Sequence, residues 1–211
     1  MKSARGILAA AGLLAALAIT AADGKSTTDT VQPATASATS LRPVSDFDAI
    51  RSRKKRSLAL FTEVGKVLQH PRCLNCHPRN DIPTQTEAMR PHIPKVVRGE
   101  AGIGVPGQYC IACHHSNNYD PANVPGHARW LLAPAEMAWA GKPLGDICRQ
   151  LKDKKRNGGK TMEEMVHHMT KDDLIAWGWK PGGDREPAPG TQKELGALFA
   201  AWAASGAYCP S

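Results

Sequence analysis

The alternation of apolar and polar positions divides the chain into segments of distinct character. Gly6 to Thr20 is an uninterrupted run of small and apolar residues, preceded by Lys2 and Arg5 and followed by polar Asp23 and Gly24. A positive start, a short apolar run and the small-x-small stretch Thr20-Ala21-Ala22 predict a cleavable signal peptide over residues 1–22. The run is short for a bilayer span, which takes about 20 apolar residues. The chain would meet a membrane only if this segment stayed uncleaved. Residues 23–43 are rich in Ser, Thr and Ala, include Pro33 and Pro43, and carry no core-forming period. They predict a flexible leader. Residues 44–211 are expected to form the folded domain.

Within that domain, Phe47, Ile50, Leu58, Phe61, Val64 and Leu68 recur at helical spacing. They predict a helix capped by Ser45, running towards His70 and stopped by Pro71. Between Pro71 and Pro134 the sequence is dense in proline and glycine and poor in periodic apolar residues. Such a stretch cannot bury itself with its own side chains, and a large flat apolar group would supply the missing centre. The last third returns to short helices, predicted at 135–140, 144–151, 162–169, 172–176 and 192–204. Asn157-Gly158-Gly159 and Lys180-Pro181-Gly182-Gly183 supply turns between them. No alternating strand pattern emerges. The fold class expected is mainly α, with short helices and long loops packed around that group.

The identity of that group rests on one motif used twice. Cys73-Leu74-Asn75-Cys76-His77 and Cys110-Ile111-Ala112-Cys113-His114 are both C-x-x-C-H, the attachment signature of haem c. Two thiols at this spacing reach the two vinyl groups on one porphyrin edge, and the adjacent His supplies an axial nitrogen. Three other readings compete. Paired C-x-x-C knuckles bind zinc, but the stretch from Cys76 to Cys110 is long for a ribbon site and a His follows each pair. A thioredoxin-like motif needs a βαβ context that is missing. Simple disulfides are the remaining alternative in an oxidising compartment. Cys148 and Cys209 stand outside any such pair, and are expected to form a structural disulfide between a mid-chain helix and the C-terminus.

Cys73, Cys76, Cys110 and Cys113 are therefore the expected covalent anchors of two haem c groups, with His77 and His114 as iron ligands, and the mainly α fold is expected to be cytochrome c-like, its short helices and long loops packed around the two covalently bound haems. The second axial ligand decides potential and reactivity. His92, in the proline-stiffened stretch Arg90-Pro91-His92-Ile93-Pro94, and His168, on the shoulder of the stripe Met162, Met165, Val166, Met169, are the expected distal ligands. Met137 and His127 stand in reserve. His70 sits too close to the first motif, and His115 directly follows a proximal ligand. The methionine stripe itself is expected to be core.

Composition adds two points. Aromatic residues are few, yet five are Trp (Trp130, Trp139, Trp177, Trp179 and Trp202), all after the second motif. Wide rings can wall a porphyrin as well as fill a core. The formal net charge is +8, which falls to a small positive value once the signal segment is lost and haem propionates are counted. Nucleic acid is thus not an expected partner. Arg51, Arg53, Lys54, Lys55 and Arg56 form a basic run, read as a solvated helix face or as a docking patch for an acidic redox partner.

The segments Pro71-Arg72-Cys73-Leu74-Asn75-Cys76-His77-Pro78, Val97-Arg98-Gly99 and the second C-x-x-C-H resemble a family of small proteobacterial dihaem c-type cytochromes. So do Ala133 to Trp139, Gln150 to Asp153, Asn157-Gly158-Gly159, His168 with Trp177-Gly178-Trp179, and Cys209-Pro210. Members are often labelled as subunits of isoquinoline oxidoreductase. The resemblance implies a periplasmic haem protein beside a molybdenum hydroxylase or other dehydrogenase, and it places His92, Met137 and His168 in shared segments. Where the family has a small residue after the second motif, this chain has His115. The function expected is electron transfer without a substrate of its own. The alternative is a small dihaem enzyme, a peroxidase or sulfur-compound oxidase, with an open axial site. No catalytic constellation is evident in the sequence.

Overall fold

The computed structural model describes residues 40–211. The signal segment and most of the leader expected from the sequence lie outside the described residues. The described residues form six α-helices in chain order: α1 (Arg53–Leu68), α2 (Pro71–Leu74), α3 (Leu144–Lys152), α4 (Met162–Lys171), α5 (Asp173–Ala176) and α6 (Gln192–Ala204). Two hairpins of two-residue strands complete the inventory, β1 (Thr84–Gln85) with β2 (Arg90–Pro91) and β3 (Gly104–Val105) with β4 (Gln108–Tyr109). The protein is mainly α, as the periodicity indicated. No helix among the described residues is long and apolar enough to cross a membrane.

Helix α6 is the centre of the core and packs against α1 and α4. Thr191 caps it by accepting from the Glu194 N–H, and Leu195, Leu198, Phe199 and Trp202 form its buried stripe. Trp202 is fully buried, lies 4.7 Å from Phe61 and 4.9 Å from Phe199 between ring centroids, and donates its indole N–H to the Tyr208 carbonyl at 3.0 Å. From α1 come Leu60, Phe61, Val64, Val67 and Leu68; from α4 come Met165 and Met169. Each such side chain contributes about 1.5–3 kcal/mol by leaving water. The methionine stripe is core, as expected. Helix α4 starts in a reciprocal capping box between Thr161 and Glu164.

Two sequence expectations need correction. The first helix does not start at Ser45. Val44–Phe47 is a separate 3-10 turn, and α1 begins after Ser52, whose hydroxyl accepts from Lys55 N. A continuous helix from Phe47 and Ile50 would turn Lys54 onto the buried stripe, so the chain breaks ahead of the basic run. Arg53 then donates to the Ser205 and Ala204 carbonyls at the end of α6, and Arg56 pairs with Asp48 at 2.6 Å. The helix expected over 135–140 is only a 3-10 turn, Ala135–Met137. Beyond it the backbone extends, and the N–H groups of Trp139 and Ala140 donate to the His77 carbonyl at 3.0 and 3.1 Å.

The long stretch between α2 and α3 contains no helix beyond short 3-10 turns. Buried side chains bonded to backbone hold it together. Arg98 donates to the carbonyls of Ala133 and Asn80 and to Asp81. Arg72 donates to the Glu186 carbonyl at 2.7 Å and pairs with Glu87. Cys148 and Cys209 are joined by a disulfide that ties α3 to the C-terminal segment across a sequence separation of 61.

Candidate functional site

The first motif folds as α2 and the turn that follows it. His70 starts the helix, its Nδ1 accepting from the Arg72 N–H at 3.2 Å, with Pro71 at the first helical position. One turn of helix brings Cys73, Cys76 and His77 onto the wall of a single cavity of about 270 Å3. Four of the five tryptophans, Trp130, Trp139, Trp177 and Trp179, line the same space; the fifth, Trp202, belongs to the core. His168 lines it too.

The ring nitrogens of His77 are committed in a definite way. Nδ1 lies 2.7 Å from the Met137 carbonyl and donates to it, which leaves the Nε2 lone pair free. The imidazole lies flat against the Trp139 indole, centroids 3.5 Å apart and planes within 6°. Burial pulls its pKa down to about 4 against the effect of the Met137 bond, so the ring is neutral at pH 7. Burial also pushes the Cys73 thiol up to about 12 and the Cys76 thiol up to about 11.

The second motif repeats this arrangement on a more open surface. His114 Nδ1 donates to the Pro125 carbonyl at 2.7 Å, and its ring stacks on Trp130 at 4.7 Å and 15°. His92 faces it edge-on at 5.7 Å between ring centroids, and its own Nδ1 donates to the Pro94 carbonyl at 2.8 Å. Cys110 is half-buried and Cys113 exposed. Ile93, Ile103, Tyr109, Ile111 and Tyr119, in the same stretch of chain, are all exposed. Backbone bonds link the two motifs: the Ala133 N–H donates to the Cys76 carbonyl, and the Leu132 N–H donates to the Gly102 carbonyl, which also accepts from Cys110 Sγ.

No family model, curated protein or solved structure matches the chain.

The hydrogen bonds sort the remaining histidines. His168 Nδ1 stands 3.2 Å from Asp172 Oδ2 and bonds to it; burial nonetheless lowers its pKa, so it too is a neutral ring with Nε2 free. His70 and His127 are built the other way round. Each accepts a backbone N–H at Nδ1, from Arg72 and Arg129 at 3.2 and 3.1 Å, so a neutral ring carries its proton on Nε2. Neither offers a free Nε2 lone pair, and the reserve place given to His127 is withdrawn on that ground. Met137, the other reserve, lines the same cavity and gives its backbone carbonyl to His77. Sequence reasoning thus named the four histidines with Nδ1 held and Nε2 free. It missed Asp172, although the i, i+4 spacing of His168 and Asp172 was available as a signal, and it missed the stacking of Trp139 and Trp130.

Among the described residues no three His, Cys, Asp or Glu side chains gather into a set that could hold a bare metal ion. The four motif cysteines are unbridged. The cavity has two features of a cradle for a large flat group. Gly178 is buried, has an ordinary φ, and a Cβ added there would find no heavy atom within 4 Å. The Trp139 indole N–H is buried without a partner, a state that normally costs about 1–3 kcal/mol. Among the basic residues, Arg129 lines the cavity and pairs with Asp172 at 2.9 Å and with Asp173. Lys152 instead donates to the Ala207 carbonyl at 2.7 Å.

Proposed function

We propose that this chain is a c-type cytochrome that carries two haems and passes electrons between periplasmic redox partners. The observation that carries the reading is the repeated arrangement at the two motifs. In each, a histidine directly after C-x-x-C has Nδ1 tied to a backbone carbonyl, lies against a tryptophan, and has a second histidine near it with Nε2 free. Metal-ligating histidines typically carry such a bond on the other nitrogen. The His92–His114 spacing is close to the roughly 6 Å between ring centres that two imidazoles need on opposite faces of one metal, at bonds of about 2 Å.

Each haem, when bound, would supply a one-electron iron couple. The chain's own residues do the rest. Cys73 and Cys76, protonated and half-buried, would add across the vinyl groups of the first haem, and Cys110 and Cys113 across those of the second. His77 with His168, and His114 with His92, would hold the irons. Trp139, Trp130, Trp177 and Trp179 would wall the space against water, and Gly178 would leave room for the group. Zinc is the weaker reading, because a structural zinc needs four converging donors and the donors here are divided between two places. The resemblance to small dihaem cytochromes points to a dehydrogenase, such as a molybdenum hydroxylase, as electron donor.

The test is to mature the protein with the cytochrome c assembly machinery and record oxidised and dithionite-reduced spectra, with and without carbon monoxide. Two covalent haems per chain with no carbon monoxide shift are expected. A carbon monoxide shift would turn the reading towards an enzyme with an open iron, and absence of covalent haem would end it.

A further inference from the structure

Of the four imidazoles assigned to iron, three are bonded through Nδ1 to neutral backbone carbonyls, those of Met137, Pro125 and Pro94. His168 alone is bonded to a carboxylate. We propose, resting on that ligand assignment, that Asp172 is a positioning residue that sets the reduction potential of the haem held by His77 and His168 apart from that of the second haem.

The geometry divides the Asp172 carboxylate between two tasks. Oδ1 accepts from Leu174 N at 2.9 Å and Ile175 N at 3.3 Å, capping α5, and from Arg129 at 2.9 Å. Oδ2 faces His168 Nδ1 at 3.2 Å. The Asp172 side chain is only 15% exposed, and its backbone N–H closes α4 on the His168 carbonyl at 3.2 Å. Residue and ligand are therefore locked together at the α4–α5 junction. An anionic acceptor on Nδ1–H makes Nε2 a stronger donor than a carbonyl does. A stronger donor favours the oxidised iron and lowers its potential. Lys160 and Arg129 also lie near His168 and act in the opposite sense, so the carboxylate is the one group near it that pulls the potential down through the ligand itself.

The experiment is a spectroscopic redox titration of the full-length, haem-loaded protein, with covalent haem counted first. Asp172→Asn keeps a side-chain oxygen for the α5 cap, where Asn and Asp are equally good, and removes the charge. One of the two potentials should rise and the other hold. Asp173→Asn removes a neighbouring charge that also pairs with Arg129 but has no bond to His168, and should shift that potential much less. Proton NMR of the reduced, unsubstituted protein supplies a readout free of any substitution: the Nδ1 proton of His168 should lie downfield of the other three. Equal shifts in the two variants, no shift in either, or four alike Nδ1 protons would overturn the role of Asp172 while leaving the two-haem reading intact. Unsubstituted protein without covalent haem would overturn both.

Discussion

The imidazole of His77 rests on the indole of Trp139 with ring centroids 3.5 Å apart and planes within 6°. The contact depends on a local sacrifice. Residues 138–140 leave the helical conformation so that two of their N–H groups reach the His77 carbonyl, and the same turn offers the Met137 carbonyl to His77 Nδ1. Three bonds and one stacked ring fix the histidine. Trp139 is 3% exposed. Trp139→Ala should therefore destabilise the fold by about 3–5 kcal/mol, measured by denaturant titration, and Trp139→Phe, which keeps a flat ring, by clearly less. Equal losses would mean that the ring face is irrelevant.

The direction of the Nδ1 bond separates the proposed ligands from the other histidines. His92→Ala and His168→Ala should each leave two covalent haems and turn one of them five-coordinate, seen as a carbon monoxide shift involving half of the haem. His70→Ala and His127→Ala should leave the spectrum unchanged, because their Nδ1 atoms accept from backbone N–H groups. A spectral change in either of the latter, with none in the former, would reverse the assignment.

How far the sequence foretold this can be seen element by element. Helix α6 was legible to the residue, because Thr191 is an unambiguous cap and its apolar stripe has no competitor. The start of α1 was not, since Ser45 and Ser52 both precede periodic apolar residues and only a side chain at position 54 tells them apart. The 135–140 segment has local helical character that was overridden by bonds to His77, a partner far away in sequence. At the site, the motif fixed four cysteines and two histidines. The acceptors that orient those rings are backbone carbonyls, which carry no side-chain signature, so only the fold could reveal them.

Gly178 tests whether the cavity is reserved space. Its backbone needs no glycine, and a Cβ would meet nothing. Gly178→Leu, which projects further into the same space, should leave the haem-free protein folded, checked by denaturant titration. In the matured protein it should reduce covalent haem from two to one per chain, measured by pyridine haemochrome. Full haem content would show that the space serves something else.

The thiols of the haem-free protein should differ in reactivity in a way that follows burial. Alkylation requires the thiolate. Burial raises the Cys73 thiol to about 12 and the Cys76 thiol to about 11, whereas Cys113 is exposed. Iodoacetamide at pH 8 should label Cys113 first and Cys73 last. Because the folded thiol stays protonated across the accessible range, the Cys73 rate should climb about tenfold per pH unit without levelling up to pH 10. A Cys73 rate that reaches a plateau near pH 9 would show that the thiol is not buried as described.

The disulfide between Cys148 and Cys209 closes a loop with a sequence separation of 61, which in the chain-entropy account contributes about 4 kcal/mol by restricting the unfolded chain. Cys148 is fully buried beside Ile147 and Leu151 in the core, so replacing both cysteines by alanine adds a small packing loss. The double variant Cys148→Ala/Cys209→Ala should unfold at lower denaturant concentration by an amount worth about 4 kcal/mol, with the α6 core otherwise intact. The effect belongs to the loop rather than to the haem sites, so the two covalent haems and their spectra should persist at temperatures below the new transition. Loss of haem from the folded double variant would show instead that this bridge holds the cavity walls together, and would move its role from the stability of the chain to the architecture of the site.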